Sequence, residues 1–315
     1  MRSGPAAGHD GILHEAAFYG SDEEFLAVVL PFLREGVAAG EPTVSIFGER
    51  NQRLLRAALG EGSGVRFIDG GPHYLRPASA IRSHREMLAG YVAGGAAQIR
   101  IAGDVPHPGV GVPWEWWARY EAAANEVYDE FPMYGLCPYD TRTAPPEVLE
   151  DVRRTHTHVV TADGDRRPSP LYVRPRDFLA TAVAPWTLPL QAAPPALELA
   201  DPSPAQGRHA VGVLQLIAGL GDEERQGLEL SVTEVVTNAT RHGASPVRLR
   251  GWAEPGRIVV AVTDAGPGPA DPAAGLMPAG GPGGLGLWLT HQLCAYVSLH
   301  HGPDGFTIRL VAEHP

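Results

Sequence analysis

Nine prolines fall between Thr161 and Pro204, among them Arg167-Pro-Ser-Pro170 and Ala193-Pro-Pro195. Proline has no amide hydrogen and a fixed φ, so neither a helix interior nor a central strand runs through such a stretch. The chain must fold on either side of it, and 315 residues, 44% of them hydrophobic, suffice for two cores. The expected organisation is a domain over 1–160, a proline-rich linker over 161–195 and a second domain over 196–315. Phe178, Leu179, Trp186 and Leu188 are the apolar residues that could dock the linker against either side.

Charge narrows the function. Asp and Glu number 36 against 25 cations, every one an arginine, and the formal net charge is −11. Sequence-independent binding to nucleic acid or anionic lipid needs clustered cations, so neither is an expected direct partner. The absence of lysine removes a Walker-type phosphate lysine, a Schiff-base nucleophile and a lysine general base. Cys137 and Cys294 are far apart, Met1 to Asp10 carries no apolar signal segment, and no run reaches the roughly eighteen apolar residues of a membrane span. A reducing, cytoplasmic setting is the expectation.

Before the linker, strand-like runs at 43–47, 65–69, 98–102 and 133–137 alternate with helical patterns that start near Asp22, Asn51, Pro77 and Pro113. Such alternation predicts an α/β domain with a mostly parallel sheet. After the linker the pattern is a long helix, a hairpin, a Gly-rich loop, a helix and two last strands, which predicts a separate α/β sandwich.

The long helix is predicted over 222–242, with Asp222 as N-cap and Gly243 as stop. Glu234, Asn238 and His242 lie at i, i+4 and i+8 on one face. An Asn oxygen can ligate Mg²⁺ while a Glu orients or deprotonates a nucleophile, although a solvated helix face is the ordinary reading of such a pair. The runs 246–253 and 257–263 form the hairpin, and the second leads into Asp264-Ala-Gly-Pro-Gly268. An Asp at a strand end can accept a hydrogen bond from the adenine amine, and the glycines let backbone approach the base. The Gly/Pro/Ala-rich stretch 269–282 has the composition of a mobile lid and contains no cation. Gly283-Gly-Leu-Gly-Leu287 then opens a helix whose amide end suits phosphates.

Glu234-x-x-x-Asn238-Ala, Asp264-x-Gly-x-Gly268 and Gly284-x-Gly286-Leu resemble the three ATP-binding boxes of the GHKL superfamily, which gyrase, histidine kinases and MutL share. The text Glu229-Leu-Ser-Val-Thr-Glu-Val-Val-Thr-Asn-Ala-Thr-Arg-His-Gly243 is similar to the anti-sigma-factor serine kinases of the RsbW and SpoIIAB type. That resemblance implies a GHKL (Bergerat) α/β sandwich with Glu234 as general base and Asn238 as the Mg²⁺ ligand through ATP. It also implies Asp264 as adenine anchor, and Gly266, Gly268, Gly284, Leu285 and Gly286 around the nucleotide. Relatives often place a threonine directly after the glycine that opens the last strand; here Phe306 follows Gly305, and Thr307 is the threonine expected at the nucleotide.

Residues 9–160 are similar to the MEDS sensory domain, named for methanogen, methylotroph and DcmR regulators. The match rests on His14 with Tyr19, Glu24-Phe-Leu, Pro31-Phe-Leu, Glu41, Asn51, Arg100-Ile-Ala-Gly-Asp104, Tyr120-Glu-x-x-x-Asn125, Leu136-Cys-Pro-Tyr-Asp140 and His156. It implies a RecA-like α/β domain without a phosphate loop, which suits Phe47-Gly-Glu-Arg-Asn51. His14, Tyr19, Glu121, Cys137 and His156 are the candidates for a sensory pocket that takes an unidentified small molecule. Three of them, His14, Cys137 and His156, could gather around a metal, but their spacings match no short zinc motif, and core or pocket packing is the expectation. Trp114, Trp116 and Trp117 are expected as core residues at a helix start.

Together these resemblances imply a sensor joined to an anti-sigma-type ATPase that uses ATP and Mg²⁺. It would phosphorylate a serine or threonine of an anti-sigma-factor antagonist, bind a sigma factor, and form a homodimer. The alternatives are a non-catalytic module that binds its partner only with ATP, and a histidine-kinase-like protein.

Overall fold

Alternating strands and helices do build the first unit. The computed structural model describes residues 2–107, 114–181, 187–278 and 285–314, and they divide into Met1–Ala180 and Thr181–Pro315. The first unit runs β1 (Leu13–Tyr19), α1 (Asp22–Ala38), β2 (Thr43–Phe47), α2 (Glu49–Leu59), β3 (Arg66–Asp69), α3 (Gly70–His73), α4 (Pro77–Ala93) and β4 (Ile99–Gly103). It continues with α5 (Trp114–Val127), β5 (Met133–Asp140), α6 (Pro146–Thr155), β6 (His158–Val160), β7 (Arg166–Pro168) and α7 (Pro175–Leu179). Helix α1 shows why the sequence starts one there: the Ser21 hydroxyl accepts from the Glu24 amide, and Asp22, Glu23 and Glu24 face the positive end of the helix dipole. Its Phe25, Val29, Phe32 and Leu33 are buried against the sheet.

The sheet order is β3-β2-β4-β5-β1-β6-β7, parallel throughout except for the β6–β7 pair. A mostly parallel α/β domain is therefore what forms. Strand β1 carried no sequence expectation, because Leu-His-Glu-Ala-Ala-Phe-Tyr places two ionisable groups in a short run. It lies between β5 and β6, buried on both faces, and sends His14 to one side and Glu15 to the other. Glu15 accepts from the Tyr134 hydroxyl at 2.8 Å and pairs with Arg166. On β4, Arg100 is buried and holds Glu41 at 2.7 Å while donating to the Phe32 carbonyl. Trp114, Trp116 and Trp117 are buried on α5.

Much of the proline-rich stretch is built into one unit or the other. Pro168 sits at the end of edge strand β7, and Pro175 opens α7, whose Phe178 and Leu179 are buried in the first unit. Pro189 opens a short 3₁₀ turn in the second unit, where Leu188 is buried and the Trp252 indole donates to the Ala193 carbonyl at 2.9 Å. Prolines occupy the places their chemistry permits. Trp186 lies outside the described residues.

The second unit runs β8 (Leu197–Ala200), α8 (Pro204–Ala218), α9 (Asp222–His242), β9 (Arg248–Glu254), β10 (Arg257–Asp264), α10 (Gly286–Leu293), β11 (Tyr296–Gly302) and β12 (Gly305–Glu313). The N-cap of α9 is Gly221, not Asp222, which is instead the first helical residue, with Glu223 and Glu224 beside it at the dipole's positive end. The antiparallel sheet has the order β11-β12-β10-β9-β8. Its Val260, Val262, Ile308 and Leu310 pack with Val211 and Leu214 of α8 and Val232, Val235 and Val236 of α9. The opposite face carries Val259, Ala261, Val311 and Trp252 with Leu188. This α/β sandwich is consistent with a GHKL-like fold. No described helix is long and apolar enough to cross a membrane.

Candidate nucleotide site and a buried side-chain cluster

In the second unit, β10 ends at Asp264, where one carboxylate oxygen is fixed by backbone. Oδ1 accepts from the Gly266 amide at 2.7 Å and from the Ala244 amide at 3.2 Å. Among the described residues no hydrogen bond reaches Oδ2, so one edge of a positioned carboxylate is left for a donor. Four glycines pack so closely around this corner that none could carry a β-carbon. One at Gly243 would collide with Asp264 Oδ1, and one at Gly305 (φ +121°) would collide with the Asp264 carbonyl. One at Gly266 would lie 2.7 Å from both Asp264 Oδ1 and the Gly243 Cα, and one at Gly268 (φ +70°) 2.5 Å from the Phe306 ring. Gly243 and Gly305 were read from sequence only as a helix stop and a strand opener, and the contacts with Asp264 give them this further part.

The other two boxes meet where α9 packs on α10. A β-carbon at Gly286 would run into Glu234 Oε2, so the carboxylate of α9 lies against the first residue of α10. Asn238, one turn on, is half-buried on the same helix. Leu285 is the exposed N-cap of α10, while Gly283 and Gly284 lie outside the described residues. The stretch read as a lid is described only to Pro278, and that part is folded: Gly275 and Leu276 are buried, with Gly275 seated against His291 and Leu287 of α10.

Thr307 is not brought to this end. Strand alternation puts it on the face opposite Asp264, where its hydroxyl lies 2.8 Å from that of Thr263, its partner in the β10–β12 register. Phe306, the residue opposite Asp264, turns into the core instead. Side chains of adjacent strand residues point to opposite faces, so Phe306 and Thr307 part there.

In the first unit the five pocket candidates separate into two groups. Tyr19 lines a cleft of about 520 Å³ at the C-terminal ends of the parallel strands, together with Asn51, Asp104, Tyr139 and Arg142. This is where open α/β sheets hold ligands. The Asn51 amide donates to Asp104 Oδ2 at 3.1 Å and to the Tyr19 hydroxyl at 3.3 Å. Desolvation pushes the Asp104 carboxyl up to about 7, against the Asn51 hydrogen bond, and pushes the Tyr19 hydroxyl up to about 12.

His14, Glu121, Cys137 and His156 form the second group, with their ligand atoms all within 4.8 Å of one another. The β1–β5 register aligns His14 with Gly135, which puts Cys137 on the same face, and α5 and the end of α6 supply Glu121 and His156 above it. His14 Nε2 lies 3.3 Å from Cys137 Sγ, and both His14 Nε2 and His156 Nε2 lie 3.4 Å from Glu121 Oε2. The other oxygen, Oε1, accepts from the Tyr139 hydroxyl at 2.8 Å. Burial raises Glu121 to about 7, lowers His14 to about 4, lowers His156 well below the usual imidazole range and raises the Cys137 thiol. Tyr139 reaches both the cluster and the cleft; it stood inside the Leu136-Cys-Pro-Tyr-Asp140 motif without a stated role.

Comparison with known proteins fits both halves. Residues 13–157 match the family model of the MEthanogen/methylotroph, DcmR Sensory domain (MEDS), and residues 201–312 match that of the histidine kinase-like ATPase domain. No curated protein matches the chain. Among solved structures, the histidine kinase domain from the Erythrobacter litoralis EL346 blue-light activated histidine kinase matches with 21% identity and a TM-score of 0.26. It covers 35% of this chain, and this chain covers 58% of it. The protein thus joins a MEDS domain to a histidine kinase-like ATPase domain.

Proposed function

We propose that the second unit binds Mg²⁺–ATP and transfers its γ-phosphoryl group to a serine or threonine of a partner protein, as an anti-sigma factor acting on its antagonist. The observation that carries this reading is the placement of the Glu234 carboxylate against Gly286, at the amide end of α10 where phosphates are favoured. Asp264 would take the adenine amine on Oδ2 while Gly266 and Gly268 let backbone approach the base. Asn238, on the Glu234 side of α9, would hold Mg²⁺, which supplies charge neutralisation at the phosphates. The partner's hydroxyl oxygen would form a bond to the γ-phosphorus as the bond to ADP breaks, with its proton passing to Glu234.

The MEDS unit would set this activity through a small ligand in the cleft of Tyr19, Asn51 and Asp104. The second reading is a module that holds its sigma factor or antagonist in an ATP-dependent way without transfer, and one observation favours it: 269–282 contains no Arg or Lys to meet the γ-phosphate. Incubation with γ-labelled ATP and candidate antagonist proteins separates the two. Transfer should appear in the parent, and Glu234→Ala should abolish it while retaining ATP binding. Partner capture that requires ATP, with no label moving to any partner, would establish the binding module instead.

A further inference from the structure

The cluster of His14, Glu121, Cys137 and His156 has the chemistry and the dimensions of a coordination sphere. We propose that these four side chains bind one divalent transition-metal ion, with Zn²⁺ the best match, in a closed tetrahedral site inside the MEDS unit.

Geometry comes first. Bonds of about 2.0–2.1 Å to nitrogen or oxygen and about 2.3 Å to sulfur give a tetrahedron with edges of about 3.3–3.6 Å. The edges here include 3.3 Å from His14 Nε2 to Cys137 Sγ, and 3.4 Å from Glu121 Oε2 to each of His14 Nε2 and His156 Nε2. The widest separation among the four atoms stays within 4.8 Å, so small side-chain movements close the sphere. Both 3.4 Å separations are long for a charge-assisted hydrogen bond, and Glu121 Oε2 and His156 Nε2 have no hydrogen-bond partner.

The surroundings hold the donors in ligand form. His156 Nδ1 lies 2.8 Å from the Val152 carbonyl, so Nδ1 carries the proton and the Nε2 lone pair points into the cluster. The Tyr139 hydroxyl takes Glu121 Oε1 and leaves Oε2 for the centre. Asn125 donates to the Thr155 carbonyl at 2.7 Å, which ties the chain just before His156 to α5.

Charge completes the argument. In a site where Glu121 and His156 are 1% and 0% exposed, isolated charges are disfavoured. A thiolate, a carboxylate and two neutral imidazoles around a divalent cation sum to zero, which suits a dry interior. Four protein donors leave no open position, as in structural zinc sites. Thiolate, imidazole and carboxylate together suit a borderline ion better than Mg²⁺ or Ca²⁺.

The test uses the tag-free full chain, stripped of metal under reducing conditions and titrated with Co²⁺ and then Zn²⁺. The expected result is one Co²⁺ per chain with the intense d–d bands of tetrahedral cobalt and a thiolate-to-cobalt charge-transfer band, both lost when Zn²⁺ displaces it. Cys137→Ser should lose the charge-transfer band and Cys294→Ser should keep it. Tyr139→Phe, which retains all four donors, should weaken binding about tenfold. A folded parent that takes up no ion overturns the proposal whatever the variants do. So does a cobalt spectrum unchanged in Cys137→Ser; the four groups would then be a proton-sharing cluster.

Discussion

Two helices carry a glutamate and an asparagine four residues apart, Glu121 and Asn125 on α5 and Glu234 and Asn238 on α9, and their surroundings differ almost completely. Glu121 is 1% exposed, faces two imidazoles and a tyrosine hydroxyl, and its Asn125 is spent on the Thr155 carbonyl. Glu234 is only half-buried and touches a glycine at a helix start. Helical spacing dictates that each pair shares a face; it says nothing about what that face meets. Over α5 lie β1 and β5, whose side chains fill the space and remove water. Beside α9 lie Gly286 at the start of α10 and the glycines packed around Asp264. Glu121 is enclosed by side chains, whereas Glu234 and Asp264 lie against glycines where no β-carbon would fit.

The largest effects should come from forcing a β-carbon into that close packing. In Gly266→Ala the new methyl would press on Asp264 Oδ1 and on the Gly243 Cα, the second of which is backbone and cannot swing aside. Mg²⁺–ATP affinity should fall by roughly 100-fold, about 3 kcal/mol, as the carboxylate and the loop shift together. Asp264→Asn removes the charged acceptor while leaving the loop intact, and should cost roughly 10-fold to 100-fold. Calorimetry with ATP measures both. If either variant binds like the parent, the Asp264 corner is not where the base sits.

These contrasts were only partly visible beforehand. The close approaches at Gly266, Gly268 and Gly286 could be read because glycines in a fixed order after a strand and before a helix mark where backbone must come close. Helix α9 was legible from its apolar period and its stop at Gly243. Strand β1 was not, because a central strand buried on both faces is expected to be apolar, whereas this one hides His14 and Glu15 by giving each a set of polar partners from distant segments. His14, Glu121, Cys137 and His156 could be named as pocket candidates only through the family resemblance, because their gathering depends on strand order and register across more than a hundred residues, not on local spacing. Thr307 shows how little it takes to reverse a reading, since a shift of one position along a strand exchanges the two faces.

The two asparagines give a sharper and smaller test of the same contrast. Asn125→Ala removes the donor to the buried Thr155 carbonyl and should lower unfolding free energy by about 1–2 kcal/mol. Hydrogen exchange should place the loss in α5 and the end of α6. Asn238→Ala should change stability by less than about 0.5 kcal/mol, because its half-buried side chain supports little packing. Its cost should appear instead in the Mg²⁺ dependence of ATP binding. Equal losses of stability in urea denaturation would erase the distinction drawn between the two helices.

Asp104 lies between these extremes, a carboxylate at the rim of the cleft that is partly buried and held by a neutral amide. Desolvation raises it to about 7, and the hydrogen bonds from Asn51 and from the Gly48 backbone pull the other way. Tyr19 shares the same amide, and Arg142 and Asp140 face the cleft from the end of β5 and the turn after it. A carboxyl whose folded pKa exceeds its unfolded value binds its proton more tightly in the native state. Its contribution to stability is therefore complete below about pH 4 and is lost as the pH rises through about 7. Asp104→Asn stays neutral throughout, so its stability relative to the parent should rise between about pH 5 and about pH 8, by about 1.4 kcal/mol for each pH unit below about 7. Subtracting the parent removes the titration of Glu121 and the histidines, which the substitution leaves in place. Urea denaturation at the two pH values gives the difference directly. A variant that tracks the parent at both would mean that Asp104 is already ionised in the folded protein, with water or a cation reaching it through the cleft. The rim would then resemble the Glu234 side of the comparison and not the Glu121 side.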